Sequence, residues 1–399
     1  DQGLAAANLK AALILLGALV ESGLRHLVLA PGSRSGPLAS AAGLLERRGA
    51  LALHTCIDER SAAFFALGVG RASGRAAAVI TTSGTAVANL LPAAVEADFG
   101  ALPLLLISAD RPARLKQCGA NQTVNQERFL EASVRWLAQG DPAGLAAMDA
   151  SSLRRLAQRA LACTAGGPEA PAGAVHLNLP VEEPLHAGAA VLEALALSPL
   201  ACPAGRPAAV PRPPAAPVAS PSPPPIGLGG LDPGQPGLVV AGPWRGQPQA
   251  WPGFLAALRR WQQRSGWPVL ADGLSGLRGC ADLALVAGYD LLASVPDALL
   301  AGQVLRLGPL PASRRLQELL QRCGGRQLLI SEGDPRRLDP LGCCGRQWSG
   351  GLAAWVAQLP PPLAAPPPAN RLHASAWLEA DRHLQGWLDQ QLGGEPGAP

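Results

Sequence analysis

The residues with the most chemical potential stand in four short polar segments, each following an apolar run. "APGSRSGP" (30–37) places Gly32 for a tight turn and Ser33 and Ser35 as caps for the next helix. It also sets Arg34 at that helix's N-terminus, where backbone N–H groups and a guanidinium fork both favour a carboxylate. "HTCIDER" (54–60) puts Glu59 between Asp58 and Arg60 at a strand-to-helix junction. "TTSGTAVANLLPA" (81–93) turns tightly at Gly84 among hydroxyl residues. "SADRPARLKQCGANQTVNQ" (108–126) is a long irregular stretch carrying Arg111, Asn121 and Gln122. Long polar loops at strand ends are more often functional than short ones. Singly, each segment also fits an ordinary turn: acidic residues suit the first turn of a helix, Ser and Gly suit caps, and Arg34 can face solvent.

These segments need a scaffold that gathers strand ends. Residues 1–187 alternate apolar strand patterns (26–30, 51–55, 77–82, 103–108, 174–178) with helical ones (8–22, which reads as amphipathic, 35–48, 60–72, 86–98, 144–165). Continuously apolar strands separated by helices predict a parallel sheet covered on both faces. In such sheets ligands bind beyond the carboxyl ends of the strands, where the four polar segments fall. Residues 188–235 are Pro/Ala-rich and nearly aperiodic, and read as a linker. A second alternating block occupies 236–365, with strands at 237–242, 268–272, 303–308 and 327–331 and helices at 248–264, 313–322 and 349–359. A helix over 373–392 lies in the final stretch, 366–399. The predicted fold class is α/β, with two doubly wound parallel-sheet domains, the second smaller.

Composition narrows the function. A net charge of +4 over 399 residues is too slight for a nucleic-acid surface. Lys10 and Lys116 are the only lysines, so the positive charge is almost all arginine, a bias that no single arginine explains. The eight cysteines form no C-x-x-C pair and no metal-ligand spacing, and read as reduced thiols in a cytoplasmic protein. The apolar run 11–20 is about half of the ~20 residues a spanning helix needs, so no membrane insertion is expected. It lacks a basic flank and a clear cleavage site, and so does not read as a signal peptide. The first residue is Asp1, so a trimmed N-terminus is expected.

Taken together, "APGSRS", "DER", "TTSGTAVANLLPA", "SADRP" and "CGANQ", in this order, resemble the pyrimidine-binding domain of the 2-succinyl-5-enolpyruvyl-6-hydroxy-3-cyclohexene-1-carboxylate (SEPHCHC) synthase family. The likeness continues more weakly through "VHLNLPVEEPL" (175–185), "GWPVLADGLSGLR" (266–278) and "RRLDP" (336–340), covering roughly 8–360. It implies a pyrimidine-binding domain over 1–187, a smaller middle domain over 236–365, and thiamine diphosphate with Mg²⁺ as cofactors. It implies that Glu59 contacts N1′ of the aminopyrimidine and promotes loss of the cofactor's C2 proton. An apolar pocket around Glu59, raising its pKa, would suit that role. The implied reaction decarboxylates 2-oxoglutarate and adds the succinyl-semialdehyde carbanion equivalent to isochorismate, in menaquinone or phylloquinone biosynthesis. Both substrates are multiply anionic. Ser33, Arg34, Arg111, Asn121 and Gln122 match the family's substrate-binding positions, and Arg314 and Arg315 resemble a basic pair of its middle domain. The latter two also suit a solvated helix face. A homodimer or homotetramer is implied for the complete enzyme.

The chain departs from the family in one respect. Enzymes of this class bind diphosphate and metal through Gly-Asp-Gly followed by a spaced Asn, and neither "ADG" (271–273) nor "GDP" (333–335) has one. No metal ligand is therefore assigned in this chain. It is expected to be a truncation or half of a split system, inactive alone, with an exposed apolar face where the third domain docks. An acetolactate-synthase-like carboligase, or a non-catalytic relic or partner that binds a carboxylate metabolite, are the alternatives.

Overall fold

The computed structural model of the chain describes residues 2–167, 170–198, 227–292, 296–361 and 365–393. Two compact units result, Asp1–Val218 and Ala219–Pro399.

The first unit runs α1 (Gln2–Glu21), β1 (His26–Leu29), α2 (Gly36–Arg47), β2 (Ala52–Thr55), α3 (Glu59–Ser73), β3 (Ala77–Thr81), α4 (Thr85–Ala88), α5 (Leu91–Gly100), β4 (Leu104–Asp110), β5 (Val134–Gln139), α6 (Ala150–Thr164), β6 (Ala174–Pro180) and α7 (Ala189–Leu197). Its six strands are all parallel, in the order β2-β1-β3-β4-β6-β5. β3, β4 and β6 are buried at every residue, as a sheet covered on both faces requires. One face packs on α1, α2 and α6 through Leu13, Leu16, Leu38, Leu45 and Leu153; the other packs through Ala63, Leu67, Ala93 and Leu106.

Three expectations change here. The first helix is not amphipathic: residues 11–20 are buried throughout, because α2 and α6 flank α1 on the sheet. Gly3–Glu21 is long and apolar enough to cross a membrane by length and composition, but most of it is core of this unit. The helix expected over 86–98 breaks into α4 and α5 at Asn89–Leu90, with Pro92 in the first turn of α5. The linker expected over 188–235 begins with α7, whose Val191, Leu192 and Leu195 pack on the core; residues 199–226 lie outside the described residues.

The second unit runs β7 (Leu238–Ala241), α8 (Trp251–Ser265), β8 (Val269–Ala271), β9 (Leu285–Val286), β10 (Gln303–Leu307), α9 (Arg314–Cys323), β11 (Arg326–Ile330), β12 (Arg346–Trp348), α10 (Leu352–Ala357) and α11 (Pro368–Leu392). Its parallel strands are ordered β12-β11-β10-β7-β8-β9. α11 is tied to this sheet: Trp377 is buried and donates to the Leu299 carbonyl at 3.0 Å, and Asp381 accepts from the Ala287 and Gly288 amides at 3.2 and 2.6 Å. The architecture is the α/β pair of doubly wound sheets expected.

Candidate functional site

Strand order reverses in the first sheet between β1 and β3: from β1 the chain moves outward to β2, and from β3 it proceeds the other way to β4. Such a switch point opens a crevice at the carboxyl edge. The two turns there meet closely. A Cβ on Gly32 would fall 2.4 Å from Thr82 Cβ, so only glycine lets the β1 turn lie against the end of β3.

Ser33 is exposed at this edge. Ser35 occupies the N-cap of α2 without capping it; its hydroxyl donates to the Gly32 carbonyl at 3.0 Å and tightens the turn. Arg34 does not project into solvent. It is buried, donating to the Val181 carbonyl at 2.9 Å and to Glu183 Oε1 at 2.6 Å. Glu183 itself is mostly exposed, so the buried Arg34 charge is balanced by a carboxylate that solvent also reaches. The 182–184 segment is held by Asn8, which donates to the Glu182 carbonyl at 2.8 Å, and by a two-point pair from Arg114 to the Glu182 carboxylate at 2.7 and 2.8 Å.

Glu59 opens α3 at the carboxyl end of β2. Asp58 caps the helix by accepting from the Ser61 amide at 2.7 Å, which frees Glu59 from capping. Glu59 is half-buried rather than enclosed, and accepts from Asn89 Nδ2 at 3.4 Å. No apolar pocket encloses it among the described residues: Ile57, two residues earlier, is 89% exposed, and Phe64 and Phe65, further along α3, are also exposed.

The third and fourth segments lock together. Gly84 sits at φ 85°, ψ −138°, a conformation that side chains resist. Around it, Arg111 donates to Ser83 Oγ and, at 2.9 Å, to the Gln122 carbonyl; Gln122 Nε2 donates to the Ser83 carbonyl at 2.6 Å. Gln122 is held at φ 55°, a left-handed conformation rare outside glycine. Burial, and after it the neighbouring Arg34 guanidinium, lower the Arg111 pKa from its ordinary value. Arg111 remains charged at neutral pH, and further negative charge there is favourable. Asn121 is exposed beside Gln122.

Beneath this cluster lies a buried polar ladder that the sequence reading overlooked. Lys116 Nζ meets Asp110 Oδ2 at 2.8 Å and Glu127 at 2.9 Å. Asn178 Nδ2 donates to Asp110 Oδ2 at 2.8 Å; Gln126 Nε2 donates to Asn178 Oδ1 at 2.7 Å; Gly84 N donates to Gln126 Oε1 at 2.8 Å. Ser108 joins Asn178 at 2.8 Å and His176 at 2.7 Å. His176 is fully buried, which pulls its pKa down to about 4 and keeps the ring neutral. The available signal was the polar pair His176 and Asn178 inside an otherwise apolar strand, since buried polar groups demand partners.

Arg314 and Arg315 belong to the second unit, in the first turn of α9. Ser313 caps that helix and donates to Asp290; Arg315 donates to the Asp290 carbonyl at 3.0 Å; Arg314 lies 3.4 Å from Glu318. Both arginines are exposed. Two cations at a helix N-terminus oppose the dipole, an arrangement that a bound anion would relieve. The crevice between β7 and β10, lined by Gly242, Trp244, Pro309 and Glu332, has only about 10 Å³ of room.

Among the described residues, no group of three or more His, Cys, Asp or Glu side chains could hold a metal ion. Seven cysteines are free thiols, and Cys202 lies outside the described residues.

Residues 9–129 match the thiamine pyrophosphate enzyme, N-terminal TPP binding domain model. The chain is 55% identical to the 2-succinyl-5-enolpyruvyl-6-hydroxy-3-cyclohexene-1-carboxylate synthase of Synechococcus sp. (strain RCC307), over 97% of this chain and 64% of the relative. It is 51% identical to that of Synechococcus sp. (strain CC9605), over 96% and 68%. It is 49% identical to that of Prochlorococcus marinus (strain MIT 9303), over 93% and 64%. The chain thus spans about two thirds of the length of these relatives. The chain belongs to the SEPHCHC synthase family.

Proposed function

We propose that this chain supplies the pyrimidine-binding and middle domains of a SEPHCHC synthase, which decarboxylates 2-oxoglutarate and adds the resulting four-carbon unit to isochorismate in menaquinone or phylloquinone biosynthesis. One observation carries the reading. At the β1/β3 switch point, Arg34, Arg111 and the Gln122 amide gather at one edge, and Glu59 stands at the end of the neighbouring strand.

The residues present fit the pyrimidine half of thiamine diphosphate. Glu59 Oε1 has no partner among the described residues, and the exposed apolar side chain of Ile57 stands two residues before it. Glu59 would hold the aminopyrimidine by sharing a proton with its N1′. When bound, the cofactor supplies the carbon nucleophile and the electron sink. The diphosphate and Mg²⁺ are assigned to the remaining third of the enzyme. Arg111 and Gln122 orient the acceptor by a charge and an amide, with Ser33 and Asn121 at the rim. Arg34 contributes charge at the same edge, with Glu183 competing for it. The likeness to the family assigns Arg314 and Arg315, in the second unit, to substrate binding. The exposed apolar residues of α3 and α5 support a homodimer or homotetramer, and the free thiols support a cytoplasmic location.

The test is an assay of the chain alone and of the chain joined to the remaining third of a relative. Each receives 2-oxoglutarate with isochorismate, or pyruvate alone. The expected result is SEPHCHC from the joined protein only. Acetolactate from pyruvate, without product from isochorismate, would assign another thiamine-diphosphate carboligase instead.

A further inference from the structure

We propose that Gln126 is a positioning residue for the acceptor site, aimed by a one-way chain of hydrogen bonds that starts at Asp110 and ends at the Gly84 amide. The inference deepens the function proposed above and rests on it.

The sense of the chain follows from which groups only accept. Asp110 is completely buried, and its carboxylate accepts from the Arg111 amide at 2.8 Å, Lys116 at 2.8 Å and Asn178 at 2.8 Å. A carboxylate cannot donate, so Asn178 must turn its Nδ2 toward it. Asn178 Oδ1 then faces Ser108 at 2.8 Å and Gln126 at 2.7 Å. An amide oxygen cannot donate either, so Gln126 must offer its Nε2 there, and to the Ala109 carbonyl at 3.1 Å. Its Oε1 is left aimed at the Gly84 amide, 2.8 Å away. Rotating either amide by 180° would set oxygen against oxygen and N–H against N–H. The hydroxyl proton of Ser108 is committed to Asn178, so Ser108 accepts from His176 Nε2, which fixes that tautomer too.

The chain ends where the site begins. The held amide belongs to Gly84, and Ser83, one residue earlier, is gripped from the other side by Arg111 and Gln122. Gln126 is wholly buried, so it cannot touch a substrate. Its effect on binding passes through the turn that Arg111 and Gln122 share. Position 126 therefore controls the acceptor site without contributing a contact to it.

The experiment uses the complete, active enzyme. Gln126→Met keeps the side-chain length and removes both polar ends. Leu153→Ala, in the core against α1, serves as a control destabilised without touching the chain of hydrogen bonds. The expected result is a KM for isochorismate raised at least tenfold by Gln126→Met, with kcat within threefold, and an unchanged KM in Leu153→Ala. If the Met variant does not fold, Gln126→Asn is one methylene too short to reach both Asn178 and Gly84, and the same split in KM is expected. A KM within twofold of the parent, or a KM that rises equally in Leu153→Ala, overturns the inference. A parent enzyme that does not consume isochorismate overturns the proposed function, and this inference with it.

Discussion

Gly84→Ala perturbs the point where three segments of the first unit meet. At φ 85°, ψ −138°, alanine meets backbone strain of about 1–3 kcal/mol. Its Cβ would also fall 2.6 Å from Gln122 Cγ. Gln122 can swing away, but only by giving up its 2.6 Å bond to the Ser83 carbonyl, worth about 0.5–1.5 kcal/mol. The sum is about 1.5–4.5 kcal/mol, a lowering of roughly 3–18 °C in the melting temperature of a unit this size. Trp136 is the one tryptophan of residues 1–218, so fluorescence mainly reports the second unit. Amide hydrogen exchange in β3 and β4 is the suitable assay. In the complete enzyme the same variant should raise the KM for isochorismate. Unchanged exchange protection together with an unchanged KM would refute the idea that this turn is locked by Gln122.

Three further outcomes are expected. His176 has its pKa lowered to about 4 in the fold against 6.5 unfolded, so the unfolded chain binds the extra proton between these values. Its contribution is therefore fully present above pH 6.5 and is lost as pH falls toward 4, by about 1.4 kcal/mol per pH unit. Urea titrations of the first unit should show that slope, and His176→Gln should flatten it. Lys116→Met leaves the buried Asp110 carboxylate without its cation; with Lys116 itself partly exposed, the expected loss is about 2–4 kcal/mol, read by urea denaturation. Arg314→Gln should raise the stability of the second unit by up to about 0.5 kcal/mol, because relief of the cation's opposition to the helix dipole exceeds the loss of its exposed pair with Glu318, while weakening substrate binding in the complete enzyme. Equal or lower stability would show that Arg314 sits without strain.

The parallel strands were legible because β3, β4 and β6 are apolar at nearly every position, which double-sided burial imposes. The strands that escaped are edge or near-edge ones. β5 is half-exposed and carries Arg135, whose side chain reaches Asp98 at 2.5 Å; β9 has two residues; β12 is Arg-Gln-Trp. None shows a hydrophobic period to read. The site was legible as four segments at strand ends, but their pairing was not. Arg34 reads as a free fork, yet its partner Glu183 lies 149 residues away. Gln126 and Asn178 read as polar residues in a loop and a strand, and only the fold brings them together to hold Gly84.

Glu59, at the end of β2, is the residue proposed to handle the proton of the cofactor's aminopyrimidine. The most direct measurement is the exchange of the C2 proton of thiamine diphosphate for deuterium, followed by proton NMR, in the complete enzyme and in its Glu59→Gln variant. Glu59 is half-buried with a single 3.4 Å bond from Asn89, so the variant should fold with unchanged stability. Rapid exchange is expected in the parent, and exchange near the free-cofactor rate in the variant. Undiminished exchange in a folded Glu59→Gln enzyme that still binds the cofactor would contradict that role.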